Sequence, residues 1–186
     1  MTSQVDICNL ALTRIGGETI TTIDEGTRQA RLCNRHYYPT LNALLREFEW
    51  NFAIKRVELA QDATAPVNEY AYRYALPADF IKVVRLNACT SDEYRVEAGY
   101  IVTDEGTVTL EYVYEVTVEN DFDPQFVDVF AQRLAAEICY TLTENTNLSE
   151  QVWRVYQNKI RIARTMDSRD GSPRDLEADG WVNARY

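Results

Sequence analysis

The residue types that could do chemistry in this chain are few, and their spacing does not assemble them. His36 is the only histidine, so no His-His metal pair exists, and no Gly-x-Ser-x-Gly elbow supplies a serine for it. Cys33 lies one helical turn before it, but nucleophile and base normally come from separate elements. A histidine beside Tyr37, on a helix with Arg28, Arg31 and Arg35, reads as structural. Asp121-Phe122-Asp123 with Asp128 is the best carboxylate cluster. A calcium loop would need a further acid and a glycine at its turn, and both are absent. Asp123 is explained as a helix cap, since Pro124 follows it at the first helical position. Gly16-Gly17 lacks the lysine and hydroxyl of a phosphate-binding loop. Nothing selects a pair of carboxylates for glycoside hydrolysis. The expectation is a protein without catalytic residues, metal or cofactor.

The elements that would position any site are legible from periodicity. Ser3 caps a first helix, about 4–15, whose Val5, Cys8, Leu12 and Ile15 form an apolar stripe ending at Gly16-Gly17. A second helix, about 27–48, carries Ala30, Cys33, Tyr37, Leu41, Leu44 and Phe48, with Pro39 predicting a kink or fresh start. Phe126, Phe130, Leu134, Ile138 and Leu142 predict a helix over about 124–143. Glu144 to Ser149 reads as a loop, and a last helix follows over about 150–166. On that helix Val152, Tyr156, Ala163 and Met166 line one face, Val155 and Ile162 a second, and Arg154 and Arg161 a third. Such a helix packs on its own core and on something else.

The β region spans about 50–118. Phe80 to Leu86 is one strand candidate, preceded by the turn Leu76-Pro77-Ala78-Asp79 and by alternating Tyr70, Tyr72 and Tyr74. Tyr94 to Val102 alternates, with Ile101 out of phase. After Asp104-Glu105-Gly106, Val108 to Val118 alternates again. This reads as one long antiparallel hairpin, each strand about 30–40 Å long, with an apolar face and a face of glutamates. The fold expected is α+β: a bundle of about four helices with an antiparallel β appendage, this hairpin plus one or two further strands. Residues 1–171 then form one domain and 172–186 an irregular C-terminal tail.

Composition bounds the partners. Apolar residues make up 46% and charged residues 26% of the 186 residues, which suits a folded chain. The net charge is −10, and the window from Asp92 to Asp128, with eleven acids against Arg95, carries all of it. No basic footprint for nucleic acid dominates. Cys8, Cys33, Cys89 and Cys139 show no metal spacing, and at least Cys8, Cys33 and Cys139 read as core residues in a reducing cytosol. The start lacks a signal-peptide charge pattern, and no apolar run approaches the ~18 residues of a membrane span. Twelve tyrosines suit half-buried surfaces. In the tail, Leu176, Trp181, Val182 and Tyr186 are large anchors for docking, on a partner or on the domain itself.

Two stretches carry a resemblance. Ala11-Leu12-Thr13-Arg14-Ile15-Gly16 is followed by Ile20 and Ile23; Cys33-Asn34-Arg35-His36-Tyr37-Tyr38 runs through Leu44-Leu45-Arg46 to Trp50-Asn51-Phe52-Ala53-Ile54-Lys55-Arg56. With Leu76-Pro77-Ala78-Asp79-Phe80 and the strand after it, these resemble the tail tubular protein A family of short-tailed phages. The resemblance covers most of the chain and is strongest over residues 5–86. It implies a non-enzymatic head-to-tail adaptor of the virion neck, assembled in the host cytoplasm. About twelve copies would form a ring between the portal protein and the tail nozzle protein, and DNA would pass through unbound, with no membrane involved. The tail, with Leu176, Trp181, Val182, Arg185 and Tyr186, is expected to dock on the portal. Arg154, Arg161, Val155 and Ile162 are expected at the subunit interface, and Glu97, Glu111, Glu115 and Glu119 on an acidic face turned to the lumen or to a basic neighbour. Alternatives are another phage neck or tail-completion protein, or a carboxylate-dependent cell-wall hydrolase.

Overall fold

In a computed structural model describing residues 2–67, 69–86 and 94–170, four helices pack against two small antiparallel sheets. Helix α1, Gln4–Arg14, begins at a capping box: Asp6 N–H donates to the Ser3 hydroxyl, and Ser3 N–H donates back to the Asp6 carboxylate at 2.9 Å. It ends as a Schellman motif, Gly17 N–H on Leu12 O and Gly16 N–H on Thr13 O, with Gly16 at φ +72. Helix α2, Arg28–Glu47, starts at the Thr27 cap and contains Pro39, so of the kink or fresh start expected there the fresh start does not occur. A 3-10 turn, Asn51–Ala53, leads into strand β1, Ile54–Leu59.

The remaining strands are β2 (Tyr72–Ala75), β3 (Phe80–Leu86), β4 (Tyr94–Glu97), β5 (Tyr100–Thr103) and β6 (Val108–Tyr114). They form two sheets, β1-β6-β3 and β2-β5-β4. The long hairpin therefore does not form. Ala98 and Gly99 both sit at positive φ, 48 and 84, and close a two-residue turn between β4 and β5 with Glu97 opposite Tyr100. Beyond Thr103 the chain crosses to the other sheet, so β5 and β6 are not partners. Alternation reports which face is buried, not which strand lies alongside.

Helix α3, Pro124–Thr143, starts at Asp123, whose carboxylate accepts from Gln125 N–H at 2.7 Å and Phe126 N–H. Helix α4, Thr146–Asp167, begins four residues earlier than expected: Glu144 adopts the left-handed conformation (φ 53), and the Asn145 side chain accepts from Leu148 N–H. Two residues thus replace the expected loop.

The layers run helices, first sheet, second sheet. Phe126, Phe130, Tyr37, Trp50, Leu12 and Leu44 centre the helical core, joined by Val113 of β6. Aromatic rings meet edge to face there, as in Trp50–Phe126 at 5.1 Å. Val108, Leu110 and Tyr112, on the other face of β6, pack with Leu59, Leu86, Tyr74 and Ile101 between the sheets. Central strand β6 therefore contributes to both cores, which explains its near-complete burial. No helix among the described residues is long and apolar enough to cross a membrane.

Candidate assembly surfaces

The candidate reactive groups are committed to structure. Cys8 and Cys33 are fully buried between α1 and α2, and Cys139 is buried in α3; Cys89 lies outside the described residues. The hydrogen bond to Cys33, with burial, pushes the Cys8 thiol well above its ordinary range. His36 is half-buried on α2. Asp123 caps α3. Asp128 accepts from Lys159 Nζ at 2.6 Å and from the Arg14 guanidinium, joining α1, α3 and α4. Burial opposes ionisation of Asp128, but the Lys159 hydrogen bond and the Arg14 charge outweigh it and hold its carboxyl below the usual range. Among the described residues no group of three or more His, Cys, Asp and Glu could hold a metal ion.

A second latch fixes α4. Glu47, at the end of α2, accepts from Arg133 Nη1 at 2.8 Å, from the Tyr156 hydroxyl at 3.0 Å and from Arg164 Nη2 at 3.2 Å. Arg133 also reaches Glu137 at 3.0 Å and lies over the Trp153 and Tyr156 rings. Gln132, buried in α3, donates to Val152 O at 3.1 Å. One face of α4 is thereby pinned: Val152, Tyr156, Ile160 and Ala163 are buried. Met166, expected on that face, is 44% exposed instead, and Ile160 takes the inner position. Residue 166 lies close to the helix end, where the apolar stripe runs off α3.

The outer faces of α4 stay accessible among the described residues. Val155 is 43% and Ile162 49% exposed. Among the described residues Arg154 meets only Glu150, at 3.6 Å in an exposed pair. Arg161, Ile162, Thr165, Met166 and Arg169 line a shallow depression of about 280 Å³. The four residues expected at an interface thus share one accessible side of one helix.

The four glutamates do not share a face. Glu97 is exposed on β4, in the second sheet. Glu111, on β6, is largely covered and meets Arg56 at 3.3 Å. Glu115 accepts from the Asn42 side chain at 3.1 Å, and Glu119 from the Tyr37 hydroxyl at 3.4 Å, both at α2. The acidic face was inferred from a hairpin that does not exist; beyond Tyr114 the chain leaves the sheet and turns along the helices, carrying Glu115 and Glu119 with it. The tail residues Leu176, Trp181, Val182, Arg185 and Tyr186 lie outside the described residues.

An acidic surface does occur, at a place the sequence did not indicate. Lys55, Asp79, Tyr114, Glu115, Val118 and Asp121 line a cleft of about 470 Å³ beside the end of β6. Asp79 accepts from Lys55 Nζ at 2.8 Å and from the Tyr112 hydroxyl at 2.9 Å. Burial and this contact with Asp79 push the Tyr112 hydroxyl up to about 12. The Lys55 ammonium lies 3.7 Å from the centroid of the Tyr114 ring. Three separate segments meet here; Asp79, Glu115 and Asp121 each had a signal in the sequence, but none that joined them.

These features define an α+β protein whose partly exposed polar groups act as latches between elements and whose charge of either sign is displayed on separate surfaces. No protein-family model matches the chain, and no curated protein matches it.

Proposed function

We propose that this chain is a structural head-to-tail adaptor of a short-tailed phage virion. In this reading it is a ring subunit between portal and tail nozzle, through which DNA passes without specific binding, and it has no catalytic role. The resemblance at residues 5–86 supports it. The observation that carries it is the outer side of α4, where arginines and large apolar side chains stand together on a helix that the rest of the chain holds rigidly. Single exposed apolar residues are ordinary, whereas a row of them with charges on a fixed helix suits a protein surface. Glu97 is the exposed member of the four glutamates, and in this reading it is the one that faces the lumen or a basic neighbour. With −10 on each chain, a ring of about twelve copies would hold on the order of a hundred excess negative charges, which disfavours adhesion of phosphate.

Electron microscopy of the purified protein, alone and with portal, tests the reading. Rings seated on the portal are the expected result. Failure to bind the portal under any ratio defeats the reading, and clearing of a cell-wall suspension by the pure protein would favour the hydrolase instead. Deletion of Gly180 to Tyr186 is expected to weaken portal attachment more than it lowers the melting temperature.

A further inference from the structure

Two surfaces carry charge of opposite sign that no ion pair among the described residues neutralises. On α4, Arg161 and Arg169 have no ion-pair partner among the described residues, and Arg154 has only the exposed Glu150. Ile162 and Met166, 49% and 44% exposed, lie beside them. At the cleft, three carboxylates, Asp79, Glu115 and Asp121, stand against the single ammonium of Lys55. Asp79 is occupied by Lys55, so Glu115 and Asp121 supply the uncompensated charge. Val118, 50% exposed, adds an apolar patch to the same wall. One surface is therefore basic and apolar, the other acidic and apolar, and no ion pair among the described residues joins them.

We propose that the outer side of α4 of one copy docks into this cleft on the next copy. Arg161 faces Glu115 and Asp121, and Ile162 and Met166 cover Val118. The inference rests on the adaptor reading and gives it a contact. A pairing of unlike surfaces leaves one of each free on every dimer, so copies add head to tail and close into a ring where the rotation permits. Pairing of the helix stripe with itself would instead bring arginines against arginines. Anionic polymer is the competing occupant of a basic stripe, but the chain's charge of −10 opposes it.

Charge reversal on each surface tests the pairing. Sedimentation would compare wild type, Arg154→Glu with Arg161→Glu, and Thr117→Lys with Asp121→Lys, chosen because Thr117 and Asp121 are exposed at the cleft. Each double variant is expected to weaken self-association at least about tenfold with an unchanged melting temperature. The chain carrying all four substitutions, and an equimolar mixture of the two double variants, are expected to recover to within about threefold of wild type. The mixture recovers only if the contact is between unlike surfaces. The proposal is overturned if the reversals leave association unchanged, if neither combination recovers, or if wild type stays monomeric at millimolar concentration. It is also overturned if a short DNA duplex binds wild type and the α4 reversal abolishes that binding alone. Rings on the portal that survive the reversals would remove this contact and leave the adaptor reading standing.

Discussion

Replacing Glu47 by Ala removes the acceptor that ties the end of α2 to α3 and α4. Three donors converge on its carboxylate, from Arg133, Tyr156 and Arg164. Hydrogen bonds to a charged group contribute about 1.5–3 kcal/mol each when buried, and breaking a fully buried ion pair costs about 3–5 kcal/mol. Here the Glu47 side chain is 36% exposed and Arg164 37%, while Arg133 is only 16% exposed. Water can therefore re-solvate Arg164, and Arg133 keeps Glu137. Discounting the exposed arm to surface-pair values of about 0.2–1 kcal/mol leaves about 2–3 kcal/mol for Glu47→Ala. In a chain of this size that lowers the melting temperature by about 4–12 °C. Glu47→Gln keeps the shape and one acceptor and should lose about half as much.

Thermal and urea unfolding, followed by circular dichroism, would measure both variants. Because the latch holds the inner face of α4, the same substitution should also weaken any self-association that uses the outer face. A Glu47→Ala variant within about 0.5 kcal/mol of wild type would refute the reasoning, since the three contacts would then be surface decoration.

Asp128→Asn should cost about 1–2 kcal/mol, because Arg14 and Lys159 lose their counter-charge, and its effect should add to that of Glu47→Ala in a double variant measured by urea unfolding. The pH dependence follows from the same residue: a carboxyl held below its ordinary value of 3.8 stabilises the fold above that pH, and the contribution is lost as pH falls through the lower folded value. Acid titration of wild type should thus show a larger stability loss below about pH 4 than Asp128→Asn, which keeps only the contributions of other lowered carboxyls such as Glu25 and Asp79. Gly16→Ala should cost about 1 kcal/mol, read as a small drop in melting temperature; nothing lies within 4 Å of the added carbon, so the penalty comes from the positive φ. Trp50→Ala, which empties the core where the indole donates to Leu44 O at 3.1 Å, should cost about 3–5 kcal/mol, read as a large drop in the urea midpoint.

The helices were legible because their signals are local. Ser3 and Asp123-Pro124 cap where caps were read, α2 starts at Thr27 where a start was read, and most of the apolar positions at helical spacing are buried. The start of α4 was missed because Thr146 and Asn147 carry no apolar periodicity, so Asn145 looked like loop rather than cap. In the β region, alternation on either side of Ala98-Gly99 was read as one strand. That turn lacks the usual Asn-Gly or Asp-Gly pair, and the out-of-phase Ile101, fully buried between the sheets, was the only sign of it. The outer stripes of α4 could be read because they belong to one helix. The cleft could not, because Lys55, Asp79 and Asp121 meet only through tertiary structure.

The acidic window also changes meaning once its members are placed. Asp123 caps a helix, Asp128 is a latch, and Asp104 accepts from Ala71 N–H at 2.8 Å. Glu111 meets Arg56, and Glu115 and Glu119 accept from α2. Most of these carboxylates therefore act locally, holding one element against another, and few are merely solvated. Partnering with neutral donors does not cancel their charge, so the long-range field stays negative while the short-range contacts are specific. Salt separates the two roles. With a screening length of about 10 Å at 0.1 M and about 3 Å at 1 M, the field that repels phosphate is largely lost in molar salt. The latches are direct contacts at 2.6–3.2 Å, comparable to the shorter length and partly withdrawn from water, so salt screens them much less. Raising salt to 1 M should thus leave the melting temperature within a few degrees, while association through the exposed arginines of α4 weakens and keeps only its apolar part.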